Sequence, residues 1–213
     1  MFKASSGVFQ ALQSDLKTSI SSLHRTNQQV NLYTTALVLA LQVLAAGLPW
    51  YSHSLLKDSS WSYVLLYGVC RGDWGDYCRL YVSLVEDCEG EDCGDFEENW
   101  KAGRLALGLG AVAAASLLAA VVNGLVLAKW PNCCSVQLSL QVSSLLCSTA
   151  GTAVWLGLSR YERASSTEVQ PGMTLALVSS MLNTALVLHT VMTNRSRREF
   201  QASLNRAKEG TIS

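Results

Sequence analysis

The chain has 213 residues, 49% of them hydrophobic and only 15% charged, with sixteen basic and sixteen acidic side chains and a formal net charge of zero. So few charges in so apolar a chain must be segregated from long apolar runs, which points to a membrane protein and away from a soluble bundle of amphipathic helices. The balanced charge offers no basic face for a nucleic acid, and none is expected as a partner.

In chain order, residues 1–31 come first. Phe2, Val8, Phe9, Leu12, Leu16, Ile20 and Leu23 recur at helical spacing, with Lys3, Lys17 and Arg25 on other faces. This pattern predicts a cytoplasmic amphipathic segment lying on the inner membrane surface. The first apolar run, 32–49, follows the polar stretch "SSLHRTNQQVNLY" and ends in Leu48-Pro49-Trp50 without a small-residue cleavage site. It reads as a retained span and not as a signal peptide. Further runs at 105–128, 136–158 and 173–192 are nearly free of charge, and each approaches the roughly 20 residues needed to cross a bilayer core. Leu107 to Val122 is apolar or small on every face, as suits a helix surrounded by lipid. Gly103, Gly108, Gly110, Gly151 and Gly157 read as close-packing positions. Asn123, Gln137, Gln141 and Asn183 read as amides that tie helices together, and His189 as an interfacial or helix-bonding residue.

The long polar loop, 51–101, holds Cys70, Cys78, Cys88 and Cys93. Their spacings lack the paired C-x2-C of a zinc site or a redox dithiol, and His53 is the only imidazole nearby, so no metal is expected. An even set in a short polar segment implies structural disulfides in an oxidising compartment. The residues alone leave three pairings open. "WSYVLLYGV" at 61–69 and "LYVSLV" at 80–85 read as strands. The loop also carries eleven of the sixteen carboxylates against four basic residues, a net charge of −7. Its densest part is Glu86, Asp87, Glu89, Glu91, Asp92, Asp95, Glu97 and Glu98. This acidic patch should attract cations and basic partners through charge, since no ordered calcium-ligand spacing is present.

With that loop outside, both termini are cytoplasmic, and "NRSRR" after the fourth run agrees with the positive-inside tendency. Cys133 and Cys134, at the cytoplasmic mouth of the third run, are candidate palmitoylation sites. Residues 194–213 form a basic cytoplasmic tail that briefly extends the last helix. No catalytic triad, Walker loop, zinc-protease motif or dinucleotide glycine pattern occurs, so neither an enzyme nor a cofactor is expected.

Trp50 after the first run, "GDWGDYC" with Gly72, Trp74 and Cys78, Cys88 ten positions on, and Arg104 at the next run together resemble the claudin and peripheral-myelin-protein superfamily. Its first extracellular loop carries G-L-W-x-x-C-x(8–10)-C and an Arg at the second span. Here three residues separate Trp74 from Cys78 instead of two. The stretch "CRGDWGDYC" is also similar to the amastin surface-protein signature C-x3-W-G-x4-C, two residues shorter. The resemblance covers roughly 32–193. It implies an all-α four-helix transmembrane bundle carrying a small disulfide-stapled extracellular β-sheet. It also implies a nested pairing, Cys78 with Cys88 and hence Cys70 with Cys93. The implied role is a plasma-membrane protein organising cell-surface contacts, barriers or membrane complexes. Membrane lipids and other membrane proteins, whether same-type neighbours or a channel or transporter, are the implied partners. The alternative is an auxiliary subunit of a larger channel or transporter.

Overall fold

The computed structural model describes residues 4–53, 63–71, 77–87, 93–126, 133–158 and 167–209. Four long helices carry the chain: α1 (Ala4–Gly47), α3 (Cys93–Val126), α4 (Cys133–Leu158) and α5 (Pro171–Glu209). They pack in a ring, α1 against α5 and α3, and α4 against α3 and α5. Between them lie β1 (Tyr51–His53), β2 (Tyr63–Val64), β3 (Gly68–Arg71), β4 (Tyr77–Leu80), the short helix α2 (Tyr81–Glu86) and β5 (Thr167–Val169).

The helices run further than the apolar runs. No Pro or Gly interrupts residues 8–46, and the described part of the segment expected over 1–31 is helical from Ala4 and continuous with the first apolar run. That helix stops at Gly47, ahead of Pro49, which cannot continue it. Pro171 opens α5 at the first helical position, where its missing N–H costs nothing. At 44 residues, α1 is about 66 Å long, twice a bilayer core. Among the described residues, three segments are long and apolar enough to cross a membrane: Arg25–Gly47, Glu97–Leu125 and Pro171–Ser203.

The bundle buries polar side chains among apolar ones and turns large apolar side chains outward. Leu118, Leu125, Leu146, Met181 and Leu188 point outward. Inside, the Asn31 amide donates to the Thr190 hydroxyl at 2.6 Å. The Asn31 carbonyl oxygen accepts from Gln141 at 2.9 Å and from Gln137 at 3.3 Å. Asn123 donates to the Gln137 side-chain oxygen at 3.2 Å, and Thr190 to that of Gln141 at 2.9 Å. One network therefore joins α1, α3, α4 and α5. Nearer the other end, Asn183 donates to Ser144 at 3.2 Å and Ser179 to the Val38 carbonyl at 3.4 Å. The expected role of the four amides is what these bonds perform.

One end of the ring is capped by an antiparallel sheet in the order β4-β3-β2-β1-β5. The 61–69 stretch is not one strand. Tyr63–Val64 and Gly68–Arg71 pair antiparallel, and the turn between them is closed by the Leu65 N–H donating to the Gly68 carbonyl at 2.9 Å. The 80–85 stretch is not a strand either. Only Leu80 ends β4, and Tyr81–Glu86 turns into α2 because Tyr81 and Leu84, one helical turn apart, both bury in the core.

The hairpin tip seats this cap on the bundle. Leu66 is 4% exposed, and its backbone carbonyl lies so close to Gly103 of α3 that a Cβ there would overlap it. Gly103→Ala is therefore expected to cost ~1–3 kcal/mol, the usual penalty for overfilling a packed site. Gly110→Ala adds a methyl into open space on the same helix and should leave stability unchanged or raised. Thermal melting of the purified protein in detergent, followed by tryptophan fluorescence, checks both.

Candidate functional site

The cap gathers most of the residues that the sequence marks. Trp50 is buried between the first helix and the sheet, its indole N–H donating to the Ala45 carbonyl at 2.8 Å. It meets Trp155 of α4 edge to face, with ring centroids 6.1 Å apart. Val64, Val69, Tyr81 and Leu84 complete the core above it. The chain returns from α4 through β5, and the N–H of Gln170, just after that strand, donates to the Trp50 carbonyl at 3.0 Å. Gly172 then passes so near the bundle that a Cβ would lie 2.6 Å from the carbonyl oxygens of both Leu48 and Pro49. Arg104, the arginine at the second apolar run, stacks on the Trp100 ring at 4.7 Å, a cation–π contact at the base of the cap.

The disulfide differs from the nested expectation. Cys70 bonds Cys78, so neither the Cys78–Cys88 pair nor the Cys70–Cys93 pair forms. The cause is register: β3 and β4 run antiparallel with Cys70 directly opposite Cys78. The cysteine spacing seen along the chain gave no hint that these two face each other across a hairpin. The motif residues Gly72 and Trp74, and Cys88, lie outside the described residues. So do Glu89, Glu91 and Asp92 of the acidic patch. Cys93 and Asp95 fall in the first turn of α3, and Cys133 and Cys134 in that of α4, with side chains outside the description.

The described part of the acidic patch is mixed with cations. Asp87 pairs with Arg79, and Glu97 with Lys101 at 2.6 Å one helical turn on. Both pairs are well exposed and worth at most ~1 kcal/mol each. Glu97 and Glu98 stand exposed in the second turn of α3. Among the described residues, no group of three or more His, Cys, Asp or Glu side chains is placed to hold a metal ion.

Three features have weaker sequence signals. The tip at Leu65–Leu66 buries although it is a turn, and only its unusual apolarity marks it. Strand β5 is three residues, Thr-Glu-Val, of which two are β-branched. Beneath the cap, a cavity of about 280 Å³ is bordered by Gln42, Trp50, Leu66, Gly110 and Gly151. The Gln42 amide nitrogen and oxygen are buried there without a hydrogen-bond partner among the described residues.

The outer face of the cap is less polar than its acidic sequence suggests. Tyr67, Leu80, Val82 and Val169 are exposed, Leu80 and Val169 by 52% and 56%. Leu80 and Val169 end the two strands that form the sheet's open edges.

Digestion without reduction, followed by mass spectrometry, should return a linked peptide pair containing Cys70 and Cys78, and a Cys78–Cys88 link would contradict the register. Cys70→Ser and Cys78→Ser should be equally destabilising, by ~2.5 kcal/mol for a loop of this length, because each removes the same bond. No protein-family model matches the chain, and no curated protein matches its sequence.

Proposed function

We propose that the chain is a claudin-like four-span membrane protein of the plasma membrane, with both termini cytoplasmic, and that its cap organises contacts with other membrane proteins. The fourth span is α4. It is 26 residues long and packed between α3 and α5. Its polar side chains Gln137, Gln141 and Ser144 are buried in the ring, while Val136, Leu146 and Leu158 face out. A helix flanked by two spans and apolar on its outer side belongs in the same bilayer. An even number of spans puts the disulfide-bonded cap opposite both termini. Disulfides persist on the oxidising side, and the arginines that follow the apolar part of α5, beyond Met192, suit the cytoplasmic side.

The bonded pair shifts the register of the superfamily likeness. Tyr67, three positions before Cys70, takes the place of the motif tryptophan, and seven residues separate the two cysteines against the motif's eight to ten. The same two cysteines bracket the amastin-like stretch.

The observation that carries the proposed role is the exposure of apolar side chains on the cap, Leu80 and Val169 on its two opposite edge strands among them. Edge strands with apolar residues are ready-made docking surfaces, and outside the bilayer no lipid covers them. The auxiliary-subunit alternative draws on the second loop, "SRYERASSTEVQPG", which offers only Tyr161 and Val169 as apolar anchors. That is little for head-to-head assembly between copies.

A photo-crosslinking residue at Val169 in native membranes should capture a discrete partner, identified by mass spectrometry as a second copy or as a larger channel or transporter. Leu80→Glu with Val169→Glu should weaken that capture by about tenfold, the effect of losing a central apolar anchor. Capture no greater than from the outward-facing Leu146, or capture unchanged in the double variant, would count against the role.

A further inference from the structure

The cavity beneath the cap is bordered by all four long helices and by the cap itself: Gln42 of α1, Leu107 and Gly110 of α3, Thr152 of α4, Ala176 of α5 and Leu66 of the β2–β3 turn. Its wall is rich in alanine and glycine and carries no charged side chain. Val43 of α1 and Ala111 of α3, both on its border, are exposed. The cavity therefore opens between these two helices onto the outer apolar surface.

Gln42 sits in this wall unlike the other amides of the ring. Asn31, Asn123, Gln137, Gln141 and Asn183 each bond to a side chain of a neighbouring helix. Gln42 buries both its donor and its acceptor with no partner among the described residues. The nearby hydroxyls of Ser148 and Thr152 donate back to carbonyls of their own helix, at 3.2 and 3.0 Å. A buried amide left unbonded is costly. A water molecule at that place needs about two to four polar partners, and this wall has few to give it.

We propose that this cavity is a binding site for an uncharged single-chain amphiphile, a fatty primary amide or the un-ionised form of a fatty acid, its end group paired with the Gln42 amide and its chain leaving between α1 and α3. A carboxamide or a protonated carboxyl carries one donor and one acceptor side by side, the complement of what Gln42 presents. A charged end group would lose its hydration among alanine and glycine with no opposite charge to meet it. An alkyl chain alone would leave both atoms of the amide unbonded. At about 280 Å³ the cavity is nearly twice the ~150 Å³ that holds a benzene, room for roughly ten to twelve non-hydrogen atoms. The inference rests on the membrane reading given above, since the chain leaves into lipid.

The test is photo-labelling of the full-length protein in phosphatidylcholine nanodiscs by an octanamide that carries a diazirine on its chain, with the labelled peptides mapped by mass spectrometry. The site predicts labelling within 43–46 or 107–114, suppressed by octanamide at about a tenfold lower concentration than by octane, because only the amide satisfies Gln42. Octanoic acid separates the two sources. Competition at pH 5 that vanishes at pH 8, where the carboxyl is ionised, admits the acid, and none at either pH narrows the site to the amide. Q42L should bring octanamide and octane to parity while leaving the melting temperature unchanged or raised. G110L, whose side chain enters open space on the cavity border and leaves Gln42 in place, should abolish the labelling. Equal suppression by octanamide and octane in the parent protein would overturn the proposal without recourse to any variant. Absence of label from the cavity segments, the result for a cavity that holds only water, would overturn it too, as would an undiminished preference in Q42L or equal competition by octanoate at pH 8. The membrane reading fails by a different result, extraction of the chain into aqueous buffer without detergent.

Discussion

The fold turns on one close approach, that of the Leu66 carbonyl to the backbone of α3 at Gly103. Without a side chain at 103, the β2–β3 turn drops into the end of the helix ring and Leu66 buries beside Trp155. The rest of the cap is placed by that seat. The Trp50 N–H donates to the Val64 carbonyl at 2.8 Å, which lines β1 up on β2, and β5 then joins the free edge of β1. On the other side, the Tyr81 N–H donates to the Tyr67 carbonyl at 3.0 Å, so α2 starts where the hairpin tip ends. The Cys70–Cys78 bond fastens β3 to β4. Strands of two to four residues have too little ladder to persist alone, and this cap is held by its disulfide and by its seat on the helices.

The other constraint is the polar network inside the ring. In lipid, apolar side chains give no preference for one helix face over another, so the choice of neighbour falls to small residues and hydrogen bonds. Asn31 meets this need by contacting partners on both α4 and α5. Each such bond contributes only ~0.6 kcal/mol on average between membrane helices. Their value lies in register, because a rotation of α4 that turned Gln137 and Gln141 outward would break their bonds to Asn31, Asn123 and Thr190. α4 supplies Gln137 and Gln141 to the network and Ser144 to the bond with Asn183.

Much of this was legible in the sequence. Runs of apolar residues locate the helices because a span must be apolar over a fixed length, and amides within such runs had few uses other than bonding to neighbouring helices. Helix ends were less legible. Polar residues continue α1 below Leu32 and α5 beyond Thr193, with no Pro or Gly in 8–31 or 194–209 to stop them, so hydropathy marked where the apolar part ends and not where the helix does. The loop was read least well. Its pairing depends on which strands lie opposite each other, and that is set by the burial of Leu65 and Leu66 at a turn that ordinary turn chemistry would have made polar. Leu80 to Val85 has strand formers throughout, yet Tyr81 and Leu84 bury together only as a helix. The acidic patch was visible as charge, while the Arg79–Asp87 pair and the exposed Leu80 and Val169 depend on tertiary placement.

The account stands or falls on α4 lying in the membrane with α1, α3 and α5, so that the cap and the two termini are on opposite sides. The most direct measurement places epitope tags at both ends of the chain and compares antibody access in intact and permeabilised cells, with an impermeant lysine reagent reporting on Lys101 at the base of the cap. The account predicts that Lys101 is labelled in intact cells while both tags become accessible only on permeabilisation. Tags on opposite sides of the membrane would mean three spans with α4 outside the bilayer, and would contradict it.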